Sequence, residues 1–334
     1  MGVEGRQLDA VALPEQRKPD QPSRWRKVGS PRSKFGRQQE RLGWMLVAPS
    51  VLVVVLVAIY PLIMSFYYST TNYRLTRPDR IRNVGLENYR ELFADTVFLN
   101  ALQNTFIFTI VAVLLETILG MIIALTIHSN FKGRGLVRTS MLVPWAIPTV
   151  VSSLLWGWML HDTYGVVNEL FRFLRIDVLL ENLGVVEEYG NFDWAGNTST
   201  ALGSVIAVDV WKTTPFMALL ILAGLQVIPE DVYEAARVDG ASKWQQFWQI
   251  TLPLLRPALL VALIFRTMAT FRVFDMIYVL KGYATETMSV AVYTHREVIA
   301  SQKVGYGSAS AVVIFLIIGL MVLGYTRLIR VEEG

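Results

Sequence analysis

Cysteine is absent, so the chain offers no disulfide, no thiolate nucleophile and no Cys-ligated metal. Histidine is almost absent: His128, His161 and His295 stand far apart in 334 residues, a spacing that suits no metal site. Charge is scarce as well. Only 17% of residues are Asp, Glu, Lys or Arg against 53% hydrophobic, and mean hydropathy is +0.41. A soluble domain of this length needs more charged surface than that. The scarcity is concentrated, with no charged residue at all in 42–73, 139–160 or 304–326. About 20 apolar residues cross a hydrocarbon core of roughly 30 Å, so the composition points to an integral membrane protein. Also missing is any Gly-x-x-x-x-Gly-Lys-Ser/Thr loop to cradle phosphates.

What is present is ordered along the chain. Residues 1–42 form a polar tail with Pro14, Pro19, Pro22 and Pro31. Such a segment cannot bury a core and is expected to be disordered. Arg24, Arg26, Lys27, Arg32, Lys34, Arg37 and Arg41 gather in it next to the first apolar run, which places the N-terminus in the cytoplasm. A pI near 9.2 is therefore read as topology and not as nucleic-acid binding. The first run begins too late and is too long for a signal peptide. Six spans are predicted within a transmembrane domain of residues 43–330, at about 43–67, 101–127, 138–160, 202–225, 257–280 and 305–326. An even number returns the C-terminus, with Arg327 and Arg330, to the cytoplasm, so both termini are cytoplasmic. Lys132, Arg134 and Arg138 place the connection after the second span inside, and the acidic segment 161–201 is outside. Segment 68–100 is outside on this topology although it carries Arg74, Arg77, Arg80, Arg82 and Arg90. The overall expectation is an all-α fold of six transmembrane helices.

The cytoplasmic connection 226–256 has a pattern of its own. Pro229 suits a first helical turn and Glu230 and Asp231 suit its dipole. Asp239-Gly240 breaks that helix, and Ser242 with Gln245 has the spacing of a capping box for a second one. Trp244, Phe247, Trp248 and Ile250 then fall on roughly one side. A helix–turn–helix with exposed aromatics between two spans reads as a docking surface. Two small residues, Ala235 and Ala236, let its backbone seat close to a partner, and Glu234 and Asp239 offer carboxylates for charge-assisted bonds.

Glu234-Ala235-Ala236, three residues, Gly240, nine residues, then Ile250-x-Leu252-Pro253 resembles the EAA signature of binding-protein-dependent ATP-binding-cassette importers. Tyr60-Pro61-Leu62, Gly85-Leu86-x-Asn88-Tyr89, Asn104-Thr105 and Trp211-Lys212-Thr213-Thr214-Pro215-Phe216-Met217, with Leu225-Gln226-x-Ile228-Pro229, narrow the likeness. They resemble the carbohydrate permeases related to the maltose-transporter permease, and within them the trehalose-type branch. The resemblance implies the type I importer permease fold in a bacterial inner membrane, with Glu234, Ala235, Ala236, Asp239 and Gly240 seated in a cleft of an ATPase subunit. It further implies a second homologous permease, two ATPase subunits that hold ATP and Mg, and an extracytoplasmic solute-binding protein. The chain itself is then a transport subunit without a cofactor of its own, not an enzyme.

Ionisable residues in spans are expensive and so are candidates for function: Glu116, Asp209, Lys212, Arg266, Arg272 and Asp275. Asp209/Lys212 and Arg272/Asp275 are each spaced i, i+3 and would neutralise themselves on one helix face. At about 1.5 Å per residue, Lys212 and Arg266 lie about 14 Å into their spans, near the midplane where transporters place substrate. Matching to the maltose-type permease puts sugar-contacting positions on Lys212, Thr213 and Phe216, and on Arg266, Thr270 and Val273. Disaccharide import by alternating access is the leading reading. Two others stay open on the sequence: another polar solute such as glycerol phosphate, with Lys212 and Arg266 facing an anion, and an ion-coupled secondary transporter.

Overall fold

The computed structural model describes residues 34–176, 178, 193, 194, 196 and 198–328. The tail through residue 33, most of the acidic segment 177–197 and Arg330 lie outside the described residues. Apart from one antiparallel bridge, Thr71 to Asn83, the described residues hold only helices and connections. Five helices are long and apolar enough to cross a membrane, and a bent pair makes a sixth if it is one span.

Two compact units divide at Tyr60. In the first, helix Lys34–Val54 contains Pro49 and runs into a π turn, Val55–Ile59. A proline there removes an i→i−4 hydrogen bond, and a π turn is one way to absorb the mismatch. Helix Tyr60–Ser69 follows.

The second unit is built on three long helices. Thr96–His128 starts at an Asp95 cap whose Oδ1 accepts the Val97 amide at 2.8 Å. Thr198–Leu225 lies along it, and the approach is close because Gly120 has no side chain: a Cβ there would sit 2.8 Å from Met217 Cγ. Leu252–Phe271 crosses Thr198–Leu225 where Gly224 leaves room for Leu255 and Ala258. Their buried faces make two apolar cores. One joins Phe98, Phe108, Val205, Val208, Phe271 and Tyr293. The other, towards the 226–256 connection, joins Met121, Ile127, Met217, Ile221, Leu225 and Leu255. Helix Val304–Leu328 is the last span.

Two predicted spans are not continuous helices. In the third, Arg134–Ala146 and Thr149–Met159 meet at 90°. Pro148 has no N–H, and Ile147 before it is extended (φ −70°, ψ 133°), as the residue before proline prefers to be. In the fifth, helix Leu252–Phe271 stops at Arg272 (φ −104°, ψ 19°) and a new helix, Asp275–Lys281, begins after it. Arg272 and Asp275 therefore do not share a helix face.

Several residues of the sequence signature hold this scaffold together. Asn88 donates to the carbonyls of Ser69 and Thr71, both at 2.8 Å, and Tyr89 bonds Ser69 Oγ at 2.7 Å. Asn104 donates to the Glu286 carbonyl at 3.1 Å, and Thr105 Oγ1 accepts the Val290 amide at 2.9 Å. These contacts pin a short helix, Glu87–Ala94, and the 285–290 segment to the long helices.

Candidate functional site

Two places bring the predicted residues together: a buried charged cluster between the three long helices, and the helix–turn–helix at their end.

In the cluster, Arg266 from Leu252–Phe271 reaches Glu116 on Thr96–His128. Its Nε donates to Glu116 Oε2 and its Nη2 to Oε1, each at 2.6 Å, the two-pronged geometry that guanidinium and carboxylate favour. Nη2 also lies 3.2 Å from Asp209 Oδ2 and 3.1 Å from Thr213 Oγ1, both on Thr198–Leu225. The Thr213 hydroxyl is within 2.6 Å of Glu116 Oε1 and 2.5 Å of the Asp209 carbonyl. The Glu116 side chain is fully buried and that of Arg266 is 7% exposed. Leaving one partner alone in this place would strand a charge in a medium of low dielectric. The cluster is thus a clasp across three helices.

Lys212, also buried, turns away from it. Its ammonium donates to the Ile147 carbonyl at 2.5 Å, at the bend of the third span where the backbone has lost its helical donors. The two expected i, i+3 pairs are therefore replaced. Asp209 pairs with Arg266 (3.2 Å) rather than with Lys212, and Arg272 donates back to the Met268 carbonyl (3.1 Å) in the last turn of its own helix. The six positions matched to sugar contacts separate in the same way. Lys212, Thr213 and Arg266 are engaged within the protein, and the buried Thr270 hydroxyl bonds the Arg266 carbonyl at 2.9 Å. Phe216 stacks on Trp145 with ring centres 5.8 Å apart and planes at 11°. Val273 sits in the break, its carbonyl accepting Ser289 Oγ at 2.7 Å.

Glu116 was visible in the sequence as an isolated acid in a span, but its partner was not, because Arg266 is 150 positions away. The charge count held the available signal: Asp209 and Lys212 balance in span four and Arg272 and Asp275 in span five, which leaves Glu116 of span two and Arg266 of span five as the uncancelled pair.

At the other place, helix Glu230–Val238 ends at Asp239, and Gly240 turns the chain with φ +79°, a conformation open to glycine at little cost. Ser242 and Gln245 form a complete capping box for helix Lys243–Gln246, which continues as a π turn, Phe247–Thr251. Glu234 is exposed and weakly paired with Arg237 at 3.7 Å. Ala235 and Asp239 are exposed, whereas Ala236 is buried. The two short helices are tied by Tyr233 and Thr251, whose hydroxyls lie 3.0 Å apart. Phe247 and Leu252 pack on the lower apolar core, so the motif is rooted in spans two, four and five. Trp244 and Val238 remain 70% and 88% exposed, more apolar surface than a free cytosolic loop would leave uncovered. Among the described residues no group of three or more Asp, Glu or His is arranged to hold a metal.

Comparison with known proteins agrees with this arrangement. Residues 116–330 match the family described as binding-protein-dependent transport system inner membrane component. The chain is 37% identical over 302 residues to the trehalose/maltose transport system permease protein MalF of Thermococcus litoralis, covering 89% of this chain and 97% of that one. It is 38% identical to the trehalose transport system permease protein SugA of Mycobacterium tuberculosis, over 83% and 85% of the two chains. With the sulfoquinovosyl glycerol transport system permease protein SmoG of Agrobacterium fabrum it shares 36% identity, over 87% and 91%. A chain of a bacterial alginate ABC transporter, crystallised with an alginate pentasaccharide-bound periplasmic protein, has the same fold. Its TM-score is 0.74 over 90% of this chain and 98% of that one, at 22% identity. With the fold and the family signature in agreement, the chain belongs to the binding-protein-dependent transport system inner membrane components, as a permease subunit of the ABC importer class.

Proposed function

We propose that this chain is one membrane-spanning half of a sugar importer of a bacterial cytoplasmic membrane, with both termini in the cytoplasm. Its domain is 43–330, its coupling element 226–256, and residues 1–42 are a cytoplasmic tail. A second homologous permease completes the pathway, an extracytoplasmic binding protein delivers a disaccharide or oligosaccharide, and two separate ATPase subunits bind ATP and Mg. The names of the relatives support a sugar cargo. The commitment of Lys212 and Arg266 to protein partners supports an uncharged cargo over a phosphorylated one, since neither cation is offered to an anion.

One observation carries the mechanism: the helix–turn–helix is continuous with, and packed against, the same helices that the clasp joins. Closure of the ATPase pair pulls the element through Glu234, Ala235, Ala236, Asp239 and Gly240. The motion passes through Phe247 and Leu252 into spans four and five, and alternating access follows as these shift against span two. Sugar crosses a weak midplane site near the six matched positions, Lys212, Thr213, Phe216, Arg266, Thr270 and Val273.

The test is the assembled complex carrying Glu234→Ala. The exposed pair with Arg237 contributes little, well under about 1 kcal/mol, so stability should hardly change. Sugar-stimulated ATP hydrolysis and uptake are expected to fall by an order of magnitude or more. Undiminished coupling would exclude the docking role. Measuring the cognate binding protein against neutral and phosphorylated sugars tests the cargo, and preference for the phosphorylated ligand would overturn it.

A further inference from the structure

The arginines between the first two spans form part of neither site. Thr71 and Asn83 bridge, the Asn72 amide donates to the Arg82 carbonyl at 3.1 Å, the Arg82 amide to Asn72 Oδ1 at 2.8 Å, and the Val84 amide to the Thr70 carbonyl at 2.8 Å. These bonds close residues 72–83 into a finger. Its base is fastened to the turn before the last span, where the Leu75 amide donates to the Gln302 carbonyl (3.0 Å) and the Gly305 amide to the Tyr73 carbonyl (2.9 Å). Gln302 is held there at φ +57°, and a Cβ on Gly305 would run into the Thr71 carbonyl. The finger is thus a fixed projection and not a loose loop.

Its tip carries Arg74, Arg77, Arg80 and Arg82 against a single acid, Asp79, and all five are exposed. None of the four arginines is in ion-pair reach of an acid among the described residues. The finger stands at the N-terminal end of Thr96–His128, whereas the coupling element stands at its C-terminal end, about 50 Å away by helix rise. It therefore faces the side opposite the ATPases. Basic residues in a short outer loop run against the charge rule that orients spans, so their presence asks for a use on that side. Guanidinium groups displayed on a rigid base suit carboxylates, through forked and charge-assisted bonds. Beside the finger a cavity of about 550 Å³, with Tyr73 and Arg74 on one wall and Glu87 and Glu91 on the other, gives the surface relief. The finger carries Tyr73 and the exposed Leu75 and Ile81 but no Trp or Phe, so it has little apolar surface to seat in a headgroup layer, which favours a protein surface over a lipid one.

We propose that the finger 72–83 is this chain's docking contact for an acidic patch on the extracytoplasmic solute-binding protein. The proposal rests on the importer reading above. It is tested with the complete complex in nanodiscs of phosphatidylcholine alone, by titrating the cognate binding protein and reading stimulated ATP hydrolysis at several salt concentrations. The variant Arg77→Gln/Arg80→Gln removes two exposed charges and no hydrogen bond of the fold. It is expected to raise the half-maximal binding-protein concentration roughly tenfold at low salt and to flatten its salt dependence, with the maximal rate unchanged. A titration and salt slope equal to those of the native chain would overturn the docking role. So would an effect seen only after anionic lipid is added, which would assign the finger to the membrane surface. If the native complex does not respond to binding protein at all, the importer reading fails first, and the two failures are told apart.

Discussion

Among single residues, the Glu116–Arg266 pair is under the heaviest constraint. Both are buried and doubly bonded to each other, so removing one leaves the other charged without a partner. Arg266→Met, which strands Glu116 and Asp209 together, is expected to cost about 3–5 kcal/mol of stability in the purified complex. Glu116→Gln, which keeps hydrogen bonds to the guanidinium, should cost less. Denaturant unfolding monitored by tryptophan fluorescence gives the order, and equal small effects would mean that the clasp contributes nothing. A second residue, Asp95, caps the second span and accepts the Tyr293 hydroxyl at 2.5 Å. Burial disfavours its charge, but the Tyr293 hydroxyl, the Val97 and Phe98 amides and Arg296 outweigh it and hold the carboxyl below the usual range. A depressed folded value means stability that is present above the unfolded carboxylate value of about 3.9 and lost as pH falls through the lowered one. The native chain should therefore lose thermal stability more steeply than Asp95→Asn below about pH 4. Parallel acid profiles would remove Asp95 from the account.

Elements that differ from their sequence expectation do so where a backbone break recruits a side chain. The third span bends at Ile147–Pro148 and is tied by Lys212, a contact between positions 65 apart. Proline announced a weak point there, as it did at Pro49, Pro215 and Pro257, yet those three stay within their helices. No rule of local sequence separates the four. What marks the third span is Lys212, whose ammonium reaches the Ile147 carbonyl from another helix, and that is tertiary information. Pro148→Ala restores the amide and is expected to straighten the span, so spin labels on Val143 and Leu155, both exposed, should move apart in electron–electron distance measurements. An unchanged distance would mean that Lys212, not proline, sets the bend. The break at Arg272 had no proline or glycine to signal it, so the sequence reading put Arg272 and Asp275 on one helix. The coupling element was legible in full, because its signals (Pro229, Gly240, Ser242 with Gln245) are local and each acts through its own backbone. The clasp was legible only as separate charges.

Over the whole molecule, apolar length predicted six spans, of which five are single long helices among the described residues and the sixth is the bent pair if that is one span, and the family signature predicted the class. Neither showed that one set of helices holds both the charged clasp and the root of the coupling element. The coupling proposed above rests on that continuity. Glycines at 120 and 224 let spans two, four and five lie close together. The outer finger stands at the far end of span two from the helix–turn–helix.

The direct test exploits the missing cysteine. Ala235→Cys introduces a single thiol at an exposed position of the coupling element in a chain that has no other. In the assembled complex, treated with a maleimide–succinimidyl ester reagent that joins this thiol to a nearby lysine amine, it is expected to crosslink to the ATPase subunit, with ATP changing the yield and the locked complex ceasing to transport. An Ala235→Cys complex that takes up sugar with ATP yet never crosslinks to an ATPase subunit would contradict the coupling role of this element.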